Sequence, residues 1–234
     1  MSNRFVELAL PVDDLLAART ELTHLGFAEC PVTDAWSHGY TALRLGTITV
    51  GLHEALIESP TIVVTRSALA ESVRNDADTT DWQRLQLDED EFNYALRTAP
   101  EGQALLIVEA STHASLEPMP IGELEWVEYL RPTSNFTRSV GFWAPYAETT
   151  SALSESPILR LRMDVGGLPM GLQGSTGEPA IVLCVTQVEA LIARLAQYSL
   201  ALLPAEHPNE VGRLRLASGM LVVLATQQPL EDLP

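Results

Sequence analysis

At 234 residues the chain suffices for one large domain or two small ones, and its 46% apolar content is enough to fill a core at that length. Its 14 basic residues stand against 31 acidic ones, a net charge of −17, which excludes nucleic acid and anionic membranes as partners because both require a basic surface. Two cysteines, Cys30 and Cys184, exclude a disulfide framework and a Cys-rich zinc site.

Arg4 to Leu10 is short, apolar and β-prone, and reads as a strand. Acids at Glu7, Asp13 and Asp14 interrupt any secretory leader, and no apolar run approaches the roughly 18 residues of a membrane span, so a cytoplasmic, reducing location is expected. Asp13 or Asp14 is placed to cap a helix from Leu15 to about His24, which Gly26 ends in a left-handed turn. Strands follow over Tyr40 to Leu45 and Thr47 to His53, hinged at Gly46. A strand at Pro60 to Val64, a helix from Ser67 to about Arg74 and a strand at Ala104 to Glu109 complete a second unit. The acidic run Asp88-Glu89-Asp90-Glu91 reads as an exposed loop or helix start.

The same order then returns. Glu125 to Leu130 matches the first strand, with Glu128 lying 121 residues after Glu7. Val140-Gly141-Phe142 matches Leu25-Gly26-Phe27 at an offset of 115, and Met170 to Gln173 matches Val50 to His53 at 120. The smaller middle offset predicts a shorter helix between Pro132 and Phe142. Pro179 to Leu183 matches Pro60 to Val64 and precedes a helix from Gln187 to about Tyr198 and a strand at Leu221 to Ala225. Several matches at nearly one offset make the chain a tandem duplication. Its halves are residues 1–117 and 118–234, joined by a linker within 111–122, and the tail after Gln228 reads as loose.

Phe5-Val6-Glu7-Leu8-Ala9-Leu10-Pro11-Val12-Asp13-Asp14, followed by Leu25-Gly26-Phe27 and then Gly51-Leu52-His53-Glu54, resembles the opening unit of vicinal oxygen chelate proteins, the superfamily of glyoxalases, bleomycin-resistance proteins and extradiol dioxygenases. The resemblance implies an α+β fold of four βαβββ-type units in two tandem halves, with cup-shaped mixed sheets and helices on the outer face. It also implies a small-molecule ligand in a cup, a homodimer, and a divalent metal held by His, Gln or Glu of first and last strands. The family's first-strand ligand falls on Phe5 in one copy and Trp126 in the other, and neither ring ligates a divalent ion. No cofactor is therefore expected; a divalent metal on other Glu and His ligands is the alternative.

Strand alternation selects what faces the cup. Val6, Leu8 and Leu10 form one face of the first strand and Phe5, Glu7 and Ala9 the other. The same rule adds Arg44, Thr49 and His53 in the first half, and Trp126, Glu128, Arg160, Arg162 and Gln173 in the second, while Leu159, Leu161 and Met163 read as apolar. Glu7 and Glu128 are the candidate general bases, since a half-buried carboxylate can have its pKa raised toward neutrality. Phe5, Arg44, His53, Trp126, Arg160, Arg162 and Gln173 are the candidate ligand-binding residues, with the arginines gripping an anion in a fork. The competing structural reading makes Glu7–Arg44 and Glu128–Arg160 ion pairs between strands. No phosphate-binding glycine loop, dinucleotide fingerprint or nucleophile elbow is present. Three functions remain: a glyoxalase-like small-molecule binding protein, a divalent-metal-dependent lyase, isomerase or dioxygenase, and a degenerate module whose cup is filled by its own side chains.

Overall fold

A computed structural model describes residues 3–31, 37–55, 57, 60–75, 84–86, 93–109, 124–147, 149–153, 159–206 and 209–226. The linker, the 117/118 boundary, the acidic run at 88–91, Trp36, His113, His207 and the tail after Gln228 lie outside them.

In chain order the first half comprises β1 (Asn3–Pro11), α1 (Leu15–His24), β2 (Ala28–Glu29), β3 (Tyr40–Leu45), β4 (Ile48–His53), β5 (Thr61–Arg66), α2 (Leu69–Asn75), β6 (Arg84–Gln86), β7 (Tyr94–Thr98) and β8 (Ala104–Glu109). The second comprises β9 (Leu124–Pro132), α3 (Phe136–Trp143), β10 (Thr149–Leu153), β11 (Arg160–Val165), β12 (Leu168–Gln173), β13 (Ala180–Val185), α4 (Val188–Gln197), β14 (Glu210–Arg215) and β15 (Leu221–Ala225). They form two mixed sheets, β2-β3-β4-β1-β5-β8-β7-β6 and β10-β11-β12-β9-β13-β15-β14. Each is centred on an antiparallel pair, β1–β5 and β9–β13, flanked by parallel partners.

Local chemistry sets the element ends. Asp14 accepts from the Ala17 amide at 2.9 Å at the start of α1. The helix stops in a Schellman motif, with Phe27 N–H donating to Leu22 O and Gly26 N–H to Thr23 O, and Gly26 takes the positive φ of +101° that this requires. Gly141 does not repeat that role. It lies inside α3, whose cap is Ala144, so the tripeptide match at an offset of 115 is a coincidence of sequence. The predicted shortening is nevertheless present, 8 residues in α3 against 10 in α1.

One apolar core spans both halves: Leu8, Leu10 and Ile62 of the first sheet, Tyr129, Met170 and Ile181 of the second, and Leu22, Trp143, Leu191 and Leu195 from the helices. The opposite sheet faces carry separate small clusters, Ala9, Val63 and Val108 in one half and Ala180, Val182, Leu221 and Val223 in the other. Those are the cup faces. Polar groups also pair across the halves. Glu101 accepts from Trp143 Nε1 at 2.7 Å and from Ser139 Oγ at 2.6 Å, and Tyr129 donates to Gln103.

A β-bulge decides the fate of two predicted site residues. In β1 the register shifts between Phe5 and Glu7, so Phe5 turns into the core opposite Val64 and Val6 packs on the cup side. In β9 the shift lies two residues nearer the strand start, between Leu124 and Trp126, and Trp126 stays on the cup face. Phe5 is therefore a core residue, not a cup residue. Its amide, left out of the ladder by the bulge, donates to Gly166 O of the β11–β12 turn at 2.7 Å.

Candidate functional site

The two halves present one arrangement twice. Glu7 and Glu128 occupy the middle of the cup faces and are fully buried. Each carboxylate fits because the neighbouring strand carries glycine there: a Cβ at Gly51 would collide with the Glu7 carboxylate, and one at Gly171 would sit 2.5 Å from Glu128 Oε1. Burying a carboxylate without partners is costly, so the groups around it define the site.

Around Glu7 those groups carry protons. His53 Nε2 lies 2.9 Å from Glu7 Oε1, and His53 Nδ1 lies 2.9 Å from His38 Nε2. Tyr40 donates to Glu7 Oε2. With Glu7 ionised, His53 donates through Nε2, and its Nδ1 accepts from His38. The result is a carboxylate, a buried imidazole and a half-buried imidazole in series. Burial, then the neighbouring His53, pushes the His38 pKa below its ordinary 6.5, against the pull of Glu7. Both Glu7 oxygens are engaged, so Glu7 orients His53 rather than standing open as a base.

Around Glu128 the partners are cations. Arg160 Nη2 donates to Oε2 at 2.8 Å and Arg162 Nε to Oε1 at 3.4 Å, while the Arg162 guanidinium also stacks over Trp126 at 4.6 Å. Burial lowers the Arg160 pKa, with Glu128 opposing it. The predicted Glu128–Arg160 pair is present. Its counterpart in the first half is not: Arg44 Nε donates to Thr49 Oγ1 at 2.7 Å, near the other end of the strands. The register explains why. Tyr40 pairs with His53 and Arg160 pairs with Gln173, so Arg160 is the equivalent of Tyr40, and Arg44 is the equivalent of Asp164. Leu159, expected in the core, precedes the strand and is exposed.

Sequence reasoning thus placed Glu7, Arg44, His53, Trp126, Glu128, Arg160, Arg162 and Gln173 on the cup faces, misplaced Phe5, and missed Tyr40. Tyr40 was legible from its alternation with Ala42. His38 lies ahead of the strand, where alternation carries no information. Cys184, read as a small buried residue, is buried, and its thiol is pushed up to about 11 by burial and then by Glu125.

Beside Glu128 the second cup opens into a pocket of about 230 Å³ lined by Leu130, Arg160, Gln173, Val182, Asn209, Arg213 and their neighbours. Gln173 is 8% exposed, yet among the described residues its Oε1 has no hydrogen-bond partner.

The two sets of residues bear differently on a divalent ion: Glu7, His53 and His38 are donor types that such an ion takes, whereas the second half offers one carboxylate among cations. In the first half Glu7 and His53 bond to one another through the atoms a cation would take, and in the second two guanidinium groups already neutralise Glu128. Among the described residues no three His, Cys, Asp or Glu side chains converge on a point. No helix among them is long and apolar enough to cross a membrane.

No family model and no curated protein matches the sequence. Solved structures do. A catechol 2,3-dioxygenase is similar at 13% identity over 95% of this chain and 87% of its own, with a TM-score of 0.60. A Mn(II)-bound glyoxalase from Novosphingobium aromaticivorans is similar at 10% identity over 94% and 81%, TM-score 0.61. A homoprotocatechuate 2,3-dioxygenase from Brevibacterium fuscum is similar at 10% over 99% and 73%, TM-score 0.58. With the duplicated cups and the sheet order, these likenesses establish that the chain has the vicinal oxygen chelate fold.

Proposed function

We propose that this is a glyoxalase-like small-molecule binding protein whose ligand occupies the cup of the second half without a metal. The observation that carries the reading is the buried Gln173 Oε1 on a concave wall, which has no hydrogen-bond partner among the described residues. A buried acceptor left unsatisfied costs about 1–3 kcal/mol, which a ligand donor would recover. The apolar floor and a few polar groups above it match the usual make-up of ligand pockets. Glu128, Arg160, Arg162 and Trp126 form the wall beside the pocket and hold its shape.

The test is a fragment screen by protein-observed NMR on the full chain, run in chelator and again with Mn(II). Saturable shifts confined to β12, β13 and β15, equal in both conditions, are expected. Shifts that appear only with Mn(II) would replace this reading with a divalent-metal-dependent lyase, isomerase or dioxygenase. A cup that takes no fragment under either condition would make it a filled structural module.

The Glu7–His53–His38 series favours a second reading, proton transfer in the first cup. It predicts a turnover that Glu7→Gln abolishes and Glu128→Gln leaves in place.

A further inference from the structure

The wall of the second cup has an uneven polarity. Its floor is hydrocarbon: Leu130, Ala180, Val182, Leu221, Val223 and Ala225. Its cations are already matched. Arg160 and Arg162 hold Glu128, Arg213 holds Glu206 at 2.6 Å and Glu210 at 2.8 Å, and Arg215 holds Glu178. An anionic ligand would have to displace a carboxylate from one of these pairs, and it would enter against a chain charge of −17. The expectation that arginines grip an anion therefore has no support in this geometry.

Among the described residues three buried atoms of the lining lack a hydrogen-bond partner: Gln173 Oε1, an acceptor, Asn209 Nδ2, a donor, and Nε of Arg160, whose guanidinium is already paired with Glu128. A carboxylate or phosphate could serve Asn209 but offers nothing to Gln173. A hydroxyl can serve either atom, and an ammonium can serve Gln173. The volume of about 230 Å³ lies below the roughly 300–1,000 Å³ of drug-sized sites, which limits the body of the ligand to about one ring.

On the footing of the ligand site proposed above, we propose that its occupant is a compact apolar molecule carrying a hydroxyl or amino group and no negative charge, with that group donating to Gln173 Oε1.

The experiment titrates four one-ring probes of similar size, toluene, benzyl alcohol, benzylamine and benzoate, into the isotopically labelled full chain. It follows the Gln173 side-chain amide and the Val182 and Val223 methyl groups. Benzyl alcohol and benzylamine are expected to bind roughly tenfold tighter than toluene, the effect of satisfying one buried acceptor, with benzoate weakest. Gln173→Leu is expected to remove the preference for the alcohol and amine over toluene while toluene binding persists. Gln173→Glu keeps an acceptor there and is expected to raise the preference for benzylamine, which guards against a leucine variant that fails to fold. Benzoate binding as tightly as benzyl alcohol would overturn the donor assignment and leave the ligand site standing. Failure of all four probes, toluene included, to shift these signals would overturn the ligand site as well.

Discussion

The two cups share a backbone and differ in chemistry. Each buries a glutamate on its first strand against a glycine of the adjacent parallel strand, Glu7 with Gly51 and Glu128 with Gly171. The residue facing the end of the last strand then decides the character of the site. Tyr40 and His53 surround Glu7 with groups that share protons, whereas Arg160 and Arg162 surround Glu128 with fixed charge. Duplication preserved the container, and substitution at a few strand positions changed its contents. The carboxylate is the shared cost, and each half offsets it differently.

The sharpest way to break that comparison is to remove one partner from each carboxylate. Arg160→Met leaves Glu128 buried beside a single, more distant guanidinium, and is expected to cost about 3–5 kcal/mol in urea unfolding. His53→Leu removes one hydrogen bond and leaves Glu7 with Tyr40, so the expected loss is smaller, about 1–3 kcal/mol. Equal losses would mean that Glu7 is held by charge as well.

The join between the halves supplies the next effect. Gly166 has φ of +63°, and a Cβ there would lie 2.7 Å from Asn3 O, a backbone atom that cannot swing aside. Gly166→Ala is expected to destabilise by about 2–3 kcal/mol, as strained backbone and overpacking add. Gly167→Ala, with nothing within 4 Å, meets only the backbone penalty of its φ of +104° and should cost less.

Gly51→Ala and Gly171→Ala test the shared container itself. Each added methyl meets a carboxylate pinned by hydrogen bonds, at an expected cost of about 1–3 kcal/mol. Combining Gly51→Ala with Glu7→Ala should recover part of that loss, a coupling readable in a double-mutant cycle. Strict additivity would show that the glycine is present for another reason.

The duplication was legible because it rests on apolar alternation and on Glu–Gly spacing, which survive in both copies. Eight of the nine candidate site residues were placed on the correct faces by alternation alone. The errors share one cause. A bulge inserts one residue without leaving a mark in the sequence, and it reverses every assignment before it, as with Phe5. The Arg44–Arg160 match failed because two arginines in a short strand align by identity at the wrong register. Pairing between sequence-distant groups, such as His38 with His53, depends on loop course and is invisible to periodicity.

The smallest effect concerns pH and belongs to the first cup alone. His38 has its pKa lowered in the folded protein, by burial first and by His53 second. Between that lowered value and the ordinary 6.5 the unfolded chain binds the proton and the folded chain does not. Stability is therefore complete above about pH 6.5 and falls as pH drops through that window, because unfolding is favoured wherever the unfolded state takes up more protons. His38→Gln keeps a hydrogen-bonding side chain and removes the titration, so its stability should vary less with pH just below the ordinary 6.5 than that of the parent. The second cup, held by arginines that stay charged throughout this range, should add no slope there, and Gln173→Leu should leave the pH profile unchanged. A parent profile that is flat in this window, or one that steepens in His38→Gln, would show that the His38–His53 contact does not disfavour the protonated ring.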